Sequence, residues 1–335
     1  MNKDINVDEL RSNCYRQSKI SGEFMLQLRA PGAVISTKCV DIVKEIAEKY
    51  GDRELHIGPR QTLNVPKIKY ENIDKVNELV DEYIKLIEFG ECGVEELKEN
   101  KGGYPAIGVR NITACMGGDS CVKANIKTAG LAKKIEKILY PSDYNIKVNI
   151  TGCPNDCIKA SLSDFGIFGV TLPQYNYERC VVCGGCVRAC EKQSTGALKE
   201  VNGRIEISRD LCIGCGACTD VCPTRAFTRF KKPLYRVSIG GRTSKKDPRL
   251  GKIFLEYVDE EALLAMFNNW KIFSRKVLGD TPIYLHGGHL MDRAGYKMFK
   301  ELMLKDVPLN KEAKVAERLN WAPQEYKANI NVKHV

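Results

Sequence analysis

Hydrophobic and polar positions along the first hundred residues change period in a regular order. Alternation with a period of two predicts strands, and apolar stripes spaced three and four residues apart predict helices. The predicted elements are a strand at 24–29, a helix at 40–50, strands at 54–57 and 61–65, and a helix at 73–87. Gly51 and Gly90 end the two helices, and Asn72 caps the second one. This order suits a ferredoxin-like α+β half over residues 1–100.

Beyond residue 100 the pattern predicts helices and strands that are interrupted by a cysteine-rich stretch. The predicted elements are a helix at 122–139, strands at 146–150 and 234–240, and a helix at 259–277. We therefore expect four segments in the chain. They are the ferredoxin-like half at 1–100, the first part of an α/β domain at 101–173, an inserted segment at 174–235, and the second part of the α/β domain with a tail at 236–335.

Composition is that of a soluble globular protein. Of the 335 residues 43% are hydrophobic and 28% are charged, and no apolar run reaches the roughly 18 residues of a membrane-spanning helix. The charged N-terminus lacks the apolar core of a signal peptide, so we expect a cytoplasmic protein that binds no membrane. The net charge of +10 arises beyond residue 100. No basic stripe alternates with aromatic residues there, which argues against nucleic-acid binding.

The chain has 15 cysteines, and two regular groups of them lie in the inserted segment. Both groups have the spacing C-x2-C-x2-C-x3-C, in which the first three cysteines wrap one iron–sulfur cubane and the fourth ligates the other cluster. The expected ligands of one cluster are Cys180, Cys183, Cys186 and Cys222. The expected ligands of the other cluster are Cys212, Cys215, Cys218 and Cys190. The segment resembles the bacterial two-cluster ferredoxins, although Glu191 stands where the first run usually has proline.

Zinc sites and disulfides fit this spacing poorly. A zinc ribbon has two C-x2-C pairs, whereas each run here has four cysteines at a different spacing. A disulfide framework needs an oxidising compartment, for which the chain has no signal peptide. Two adjacent clusters of low potential form an electron wire, so we expect the inserted segment to conduct electrons rather than to catalyse a reaction.

A third group of cysteines has spacings that fit neither a ferredoxin nor a zinc finger. Cys115 and Cys121 form C-x5-C, and Cys153 and Cys157 form C-x3-C within the sequence TGCPNDC. Four cysteines from two loops can hold a third cubane. We expect a helix to open near Pro154, after the 146–150 strand, so that its first amides face the anionic cluster. The helix predicted at 122–139 likewise follows Cys121.

The third group resembles the signature of the sirohaem-containing sulfite and nitrite reductases. In that family the four cysteines hold a [4Fe–4S] cluster, and the last thiolate also ligates the sirohaem iron, a role the resemblance gives to Cys157. Residues 28–32, 58–64 and 240–244 resemble further motifs of the family, the last one a loop that contacts sirohaem. The implied fold is the α+β sulfite reductase fold, a ferredoxin-like half plus an α/β haem domain, here with an inserted two-cluster ferredoxin domain.

The resemblance also implies which cations serve the reaction. Reduction of sulfite to sulfide consumes six electrons and several protons, and it needs cations that hold the substrate oxygens. Arg29, Arg60, Arg110 and Lys147 lie close to the haem-forming motifs and are the candidate catalytic residues. Arg60 and Arg242 are also candidates for clamping the sirohaem carboxylates. Arg29 has the alternative of an exposed residue at a strand end.

Several other residues qualify this assignment. Asn149 stands in place of a second lysine often found in the family, and Gln27 stands where longer relatives have an arginine. These two departures affect the substrate residues more than the haem. His286 and His289 are expected to have ordinary structural roles. Three cysteines outside the groups are expected to be small buried residues, namely Cys14, Cys39 and Cys92.

The source of the electrons is expected to be another protein. No G-x-G-x-x-G motif follows a strand and no P-loop is present, so we expect no nicotinamide or nucleotide site. A single core with a built-in ferredoxin resembles the anaerobic type of sulfite reductase, whose partners are an iron–sulfur subunit and a flavin subunit that oxidises NADH. The predicted function is reduction of sulfite to sulfide at a sirohaem–[4Fe–4S] centre that two further clusters supply. The alternatives are reduction of nitrite to ammonia and a haem-free polyferredoxin electron carrier.

Overall fold

The computed structural model describes residues 5–11, 13–95, 108–142, 144–193, 195–243, 248–279 and 285–321. Ser244, in the predicted sirohaem loop, and residues 322–335 of the predicted tail lie outside the described residues. The helices are α1 Val7–Arg11, α2 Thr37–Tyr50, α3 Ile73–Ile84, α4 Thr128–Leu139, α5 Gly185–Lys192, α6 Ala217–Asp220, α7 Glu260–Leu278, α8 Gly287–Ala294 and α9 Tyr296–Met303. The strands are β1 Tyr15–Gln17, β2 Glu23–Leu28, β3 His56–Ile57, β4 Leu63–Lys69, β5 Thr113–Ala114, β6 Val148–Thr151, β7 Phe165–Val170, β8 Gln174–Tyr175, β9 Leu198–Val201, β10 Arg204–Ile207, β11 Phe227–Thr228, β12 Leu234–Ile239, β13 Lys252–Val258 and β14 Lys314–Val315.

The N-terminal part is an antiparallel sheet in the order β1-β2-β4-β3, with α2 packed against β4 and α3. Every second residue of β2 is buried, so one face of the sheet carries the apolar side chains. Ser36 caps α2 by accepting a hydrogen bond from the amide of Cys39. The predicted strand at 24–29 and both predicted helices are confirmed, whereas the strand predicted at 54–57 is reduced to two residues. Asn72 precedes α3 without a side-chain cap bond, and α3 continues as a π-helical turn.

A six-stranded mixed sheet in the order β14-β13-β12-β7-β6-β5 forms the centre of the remaining structure. β5, β6 and β7 run parallel, and the other strands are antiparallel to their neighbours. Every residue of β6 and β7 is buried, as expected for parallel strands that are covered on both faces. The register pairs Thr113 with Asn149 and Val148 with Phe165. The cysteines and cations of the site flank these three strands.

Helix α7 covers one face of this sheet through an aromatic core. Asp259 begins the helix by accepting a hydrogen bond from the amide of Ala262 at 3.0 Å, as the sequence predicts. The ring of Phe165 on β7 lies 5.3 Å, between centroids, from the rings of both Phe267 and Trp270 on α7. Each of these side chains is at most 1% exposed. The large apolar area buried here fixes the strands from which the site extends.

The cysteine-rich segment leaves the central sheet and returns to it. β7 and β12 pair along their whole length, from Leu234 opposite Val170 to Ile239 opposite Phe165. The chain between them forms two small antiparallel sheets, β8 with β11 and β9 with β10, and the short helices α5 and α6. A separate small core of buried Leu198, Ile205, Phe227 and two cysteines holds this segment together.

Two predictions of helix near the third cysteine group are wrong. After β6 the chain forms turns instead of a helix at Pro154, with Asp156 and Lys159 at positive φ of 50° and 57°. The helix predicted to begin at 122 begins at Thr128, because the preceding amides bond elsewhere: that of Asn125 donates to the carbonyl of Gly152 at 2.7 Å. Turns rather than helix ends therefore carry the cysteines. No helix among the described residues is long and apolar enough to cross a membrane.

Candidate catalytic centre

The four cysteines of the third group come together beyond the carboxyl ends of β5 and β6. Because these strands are parallel neighbours, Cys115 and Cys153 leave the sheet side by side. The amide of Gly152 donates to Sγ of Cys115 at 3.0 Å. Burial raises the pKa of the Cys153 thiol, and it is raised further by the charges of Cys121, Cys157 and Cys115. Two loops distant in sequence therefore place four thiols near one another.

Gly152 permits this close approach because it has no side chain. A Cβ at this position would lie 2.8 Å from Cβ of Ala124 and 3.2 Å from Cα of Gly117. The same Cβ would lie 3.5 Å from Sγ of Cys115. A backbone amide aimed at a sulfur, with no side chain between the two loops, suits an anionic thiolate better than a neutral thiol.

The eight cysteines of the inserted segment separate into two sets that cross between the runs. The pKa of Cys186 is raised by burial, and the thiols that raise it further are Cys180 and Cys222. The pKa of Cys215 is also raised by burial, and the thiols that raise it further are Cys212 and Cys190. Cys222 thus lies near Cys186, and Cys190 lies near Cys215, so the fourth cysteine of each run has a neighbour in the other run. No three Cys, His, Asp or Glu side chains in the described part of the chain converge on a single metal ion.

Backbone amides also stabilise a thiolate within the inserted segment. Burial alone would raise the pKa of Cys222, but hydrogen bonds from the amide of Phe227 and from Thr224 outweigh it, and the pKa is lowered. The amide of Phe227 lies 3.4 Å from the sulfur. Donors of this kind favour a sulfur that carries negative charge, as a cluster ligand does.

A cavity of about 230 Å³ lies at the amino ends of β5 and β6, opposite the ends that lead to the cysteines. It is lined by basic side chains. The basic residues of its wall are Arg16, Arg29, Arg60, Arg110 and Lys147. Arg110 and Lys147 precede β5 and β6, whereas Cys115 and Cys153 follow them. Five or six residues of extended chain separate the two ends by roughly 16–20 Å. The structure therefore brings the candidate cations together, but not into contact with these two cysteines.

Arg60 is held against the ends of β5 and β6 by neutral acceptors. Its guanidinium donates to the carbonyl oxygens of Asn111 and Val148 at 2.8 and 3.0 Å. It also donates to Oδ1 of Asn149 at 3.0 Å, and Asn149 in turn accepts from the hydroxyl of Thr113. Burial lowers the pKa of Arg60 to about 10, so the group remains charged at neutral pH. Asn149, the residue in place of a lysine, thus orients an arginine.

Lys147 lies half-buried on the wall of the same cavity. Its backbone amide donates to Oδ2 of the buried Asp164 at 2.9 Å, which fixes the start of β6. Burial lowers the pKa of Lys147, and the neighbouring Arg60 and Arg110 lower it further, whereas Asp164 opposes them. An ammonium group with a lowered pKa releases its proton more readily than an exposed lysine.

Arg29 is buried and bound to carboxylates, so the alternative of an exposed residue is wrong. Its side chain is 5% exposed and its Nε donates to Oε1 of Glu136 at 2.6 Å. Nε also lies 3.4 Å from a carboxyl oxygen of Glu88. The guanidinium further donates to the carbonyl oxygens of Val109 and Arg110 at 2.6 and 3.3 Å. Arg29 therefore fixes the chain that carries Arg110.

Arg242 lies in a cluster separate from the basic cavity. Its Nη1 donates to Asp292 at 2.8 Å and lies 3.4 Å from Nδ1 of His289. Arg249 binds the other carboxyl oxygen of Asp292, also at 2.8 Å. Burial lowers the pKa of His289, and the charge of Arg242 lowers it further. The structure thus joins Arg242 to α8 rather than to the cavity that contains Arg60.

The buried groups that hold these cations in place were not predicted from the sequence. Asn111 accepts from the amide of Ala30 at 3.0 Å and donates to the carbonyl of Arg60 at 2.8 Å. In the sequence, Glu136 looks like a charged residue on the exposed face of an amphipathic helix. In the fold its side chain is fully buried. The polar cluster Asn111–Thr113 before Cys115 was the one available signal for a site at this strand end. The lone Cys14, Cys39 and Cys92 are buried, as predicted.

Two family models match the chain. The nitrite and sulphite reductase 4Fe-4S domain matches residues 106–311, and the nitrite/sulfite reductase ferredoxin-like half domain matches residues 16–83. The first match contains all twelve grouped cysteines. The second match covers the four-stranded sheet with α2 and most of α3.

Individual relatives agree with the family models. The chain is 46% identical over 334 residues to a subunit of the anaerobic sulfite reductase of Salmonella typhimurium, and the match covers 99% of both chains. It is 31% identical over 301 residues to coenzyme F420-dependent sulfite reductase of Methanocaldococcus jannaschii, covering 86% of this chain and 44% of that one. Dissimilatory sulfite reductase I has a similar fold, with a TM-score of 0.58, 14% identity and coverage of 91% of this chain and 74% of that one.

Proposed function

Because this chain belongs to the nitrite and sulphite reductase family, we propose that it is the catalytic subunit of a sirohaem-dependent sulfite reductase. The reaction is the six-electron reduction of sulfite to sulfide. The observation that carries the proposal is the convergence of two cysteine pairs, C-x5-C and C-x3-C, at the ends of two parallel strands. The name of the Salmonella typhimurium relative supports sulfite as the substrate.

The residues present fit a [4Fe–4S] cluster with an adjoining sirohaem. The four thiols Cys115, Cys121, Cys153 and Cys157 would hold the cluster, and the Gly152 amide bonded to sulfur matches an anionic ligand. Cys157 is exposed and would ligate the sirohaem iron. The acidic side chains of sirohaem fit a protein face that carries Arg60, and Arg242 is a second candidate for them. When bound, the pair of cofactors supplies the electrons and the iron to which sulfite binds.

The residues of the basic cavity would bind the anion and supply protons. Arg60 and Arg110 would neutralise the sulfite oxygens, because Asn111 holds the carbonyl of Arg60 and Arg29 holds the carbonyl of Arg110. Lys147 would donate a proton as each sulfur–oxygen bond breaks, and its lowered pKa favours that step. Arg29 would support these residues indirectly, because it donates a hydrogen bond to the Arg110 carbonyl. Glu136 neutralises the charge of Arg29.

The inserted segment would deliver the electrons. Its crossed cysteine sets fit two further [4Fe–4S] clusters, so the proposed total is three. Residues 174–235 are then an inserted ferredoxin domain between the two parts of the haem domain, 101–173 and 236–335. The Salmonella typhimurium relative is one subunit of an enzyme, which supports partners that we propose to be an iron–sulfur subunit and a flavin subunit that oxidises NADH. A cytoplasmic location follows from this role.

The experiment that tests the proposal is an anaerobic visible spectrum of the purified protein, followed by acid–acetone extraction of the pigment. Sirohaem in the extract, and sulfide formed from sulfite by the reduced protein, are the expected results. Iron and sulfide without an extractable tetrapyrrole, from a host that makes sirohaem, would instead indicate a polyferredoxin electron carrier. Ammonia from nitrite with no sulfide from sulfite would assign the alternative activity of the family.

A further inference from the structure

The junction between the third cysteine group and the inserted segment is a cavity of about 440 Å³. Cys153 lines it on one side and Cys215 on the other, together with Ala217 and Val221 of the inserted segment. Ala189 and Lys192, which flank Cys190 on α5, also line this cavity. The set that contains Cys190 and Cys215 is therefore the one that faces the third group.

The other set of the inserted segment lies toward solvent. Cys183 is exposed, and Val181 between Cys180 and Cys183 is 65% exposed. Tyr177, three residues before Cys180, is 59% exposed. An exposed thiol in one cysteine set, and a shared cavity beside the other set, give the segment an outer end and an inner end.

Asn125 connects the inner end to the third group through both its backbone and its side chain. Its amide donates to the carbonyl of Gly152, the residue before Cys153, at 2.7 Å. Its Nδ2 donates to the carbonyl of Gly169 at 3.1 Å and lies 3.4 Å from the carbonyl of Cys215. Arg229 donates to Oδ1 of the same amide and binds Asp220 at 2.7 Å, which fixes the orientation of the amide.

We propose that the set Cys190, Cys212, Cys215 and Cys218 is the internal electron donor to the third group, and that Asn125 is the positioning residue that fixes their separation. This inference rests on the proposed function, because it assumes clusters at both sets. The cluster that Cys215 would ligate would give up one electron, and the cluster that Cys153 would ligate would take up that electron. No bond forms or breaks in this step, and the original reductant is a one-electron donor of low potential at the outer end.

The test compares Asn125→Ala and Asn125→Asp with the matched control Asn269→Ala. Asn269 on α7 also donates its amide to two backbone carbonyls, those of Met303 and Lys305, but it lies on a helix remote from the cysteines. Each protein is mixed with dithionite, and freeze-quench EPR spectra follow the reduction of each cluster. Asn125→Asp keeps an acceptor for Arg229. The proposal can therefore still be tested if the alanine variant fails to fold.

In both Asn125 variants, the cluster at Cys215 is expected to be reduced first. The cluster at Cys153 should then be reduced several-fold more slowly than in wild type. Wild type and Asn269→Ala are expected to show no such lag. The added carboxylate of Asn125→Asp should also lower the reduction potential of the cluster at Cys215. Unchanged kinetics in both Asn125 variants, or reduction of the Cys153 cluster before the Cys215 cluster, would overturn the proposal. The cluster kinetics are measured without sulfite and do not depend on sirohaem. Absence of sirohaem would therefore contradict the proposed function but not the electron-donor proposal.

Discussion

Two buried carboxyl groups share one arginine behind the basic cavity, and they should respond differently to substitution. Glu136 receives the hydrogen bonds of Arg29, whereas Glu88 lies 3.4 Å from Nε of Arg29 and has two carboxyl oxygens without a hydrogen-bond partner. Burial raises the pKa of Glu88 well above its usual value, and the Glu136 carboxylate raises it further. Burial therefore favours the protonated form of Glu88, whereas Glu136, which accepts the hydrogen bonds of Arg29, balances the charge of Arg29.

Glu136→Gln should therefore destabilise the protein far more than Glu88→Gln. Removing one partner from a buried ion pair costs about 3–5 kcal/mol, because the remaining charge is left without compensation. For a chain of this size that loss corresponds to a fall in Tm of roughly 4–7 °C. At acid pH, where both the folded and the unfolded wild-type chain carry the Glu88 proton, Glu88→Gln replaces a neutral carboxylic acid by a neutral amide of the same shape, so its effect there should stay within about 1 kcal/mol.

The same assignment gives a pH dependence with a definite sign. The folded chain retains the Glu88 proton above pH 4.5, where the unfolded chain releases it, so wild-type stability falls as the pH rises toward the folded-state pKa. Glutamine does not titrate, and Glu88→Gln should therefore gain on wild type by up to about 1.4 kcal/mol per pH unit in that window. Scanning calorimetry at pH values between about 5 and 8 measures the difference. The exposed Lys49→Ala is the control. Equal losses for both glutamine variants, or a difference independent of pH, would refute the reasoning.

Three further predictions concern the site itself. Cys157→Ser should abolish sulfite reduction and alter the haem spectrum, and unchanged activity would exclude Cys157 as the bridging ligand. Lys147→Ala should raise the KM for sulfite by roughly 10- to 100-fold with the pigment retained, as expected for loss of a charge-assisted hydrogen bond. The control Lys134→Ala, which changes an exposed side chain of α4, should leave the KM unchanged. Because burial lowers the pKa of Lys147, the wild-type KM should rise at alkaline pH, and Lys147→Arg should move that rise to higher pH. Gly152→Ala should lose cluster iron because its Cβ overlaps Ala124, whereas Gly130→Ala, which has open space, should retain it.

Elements whose own residues carry the signal were predictable from the sequence. The stripe of α2 and the Asp259 cap of α7 are local patterns, and both elements form as expected. The ferredoxin-like half is likewise confirmed by the family model over residues 16–83. Spacing also predicts that the fourth cysteine of each run ligates the other cluster, because a cubane needs its ligands at fixed separations, and this ligand set stays a prediction.

The turns that carry Cys121 and Cys157 could not be predicted, because distant partners determine them. Residues 152–164 must return from the end of β6 to the start of β7, since these strands are parallel. Asp156 stabilises that return by accepting a hydrogen bond from the Ser161 hydroxyl at 2.9 Å. The 121–127 stretch has a helical pattern of apolar residues, but Asn125 gives its amide to Gly152 instead of to a helix. A local pattern contains no information about such a partner.

The sequence alone does not distinguish the roles of the arginines of the site. The hydrogen-bond partners of each arginine in the fold do. Arg29 binds the Glu136 carboxylate, which neutralises its charge, whereas Arg242 shares the Asp292 carboxylate with Arg249; both arginines hold protein segments in place. Arg60, within the described part of the chain, donates to carbonyl and amide oxygens that carry no net charge. Its charge, with that of Lys147 beside it, remains for an anion in the cavity. We therefore propose an anion-binding role for Arg60 and Lys147 before Arg29, a ranking that the spacing of basic residues along the chain does not contain.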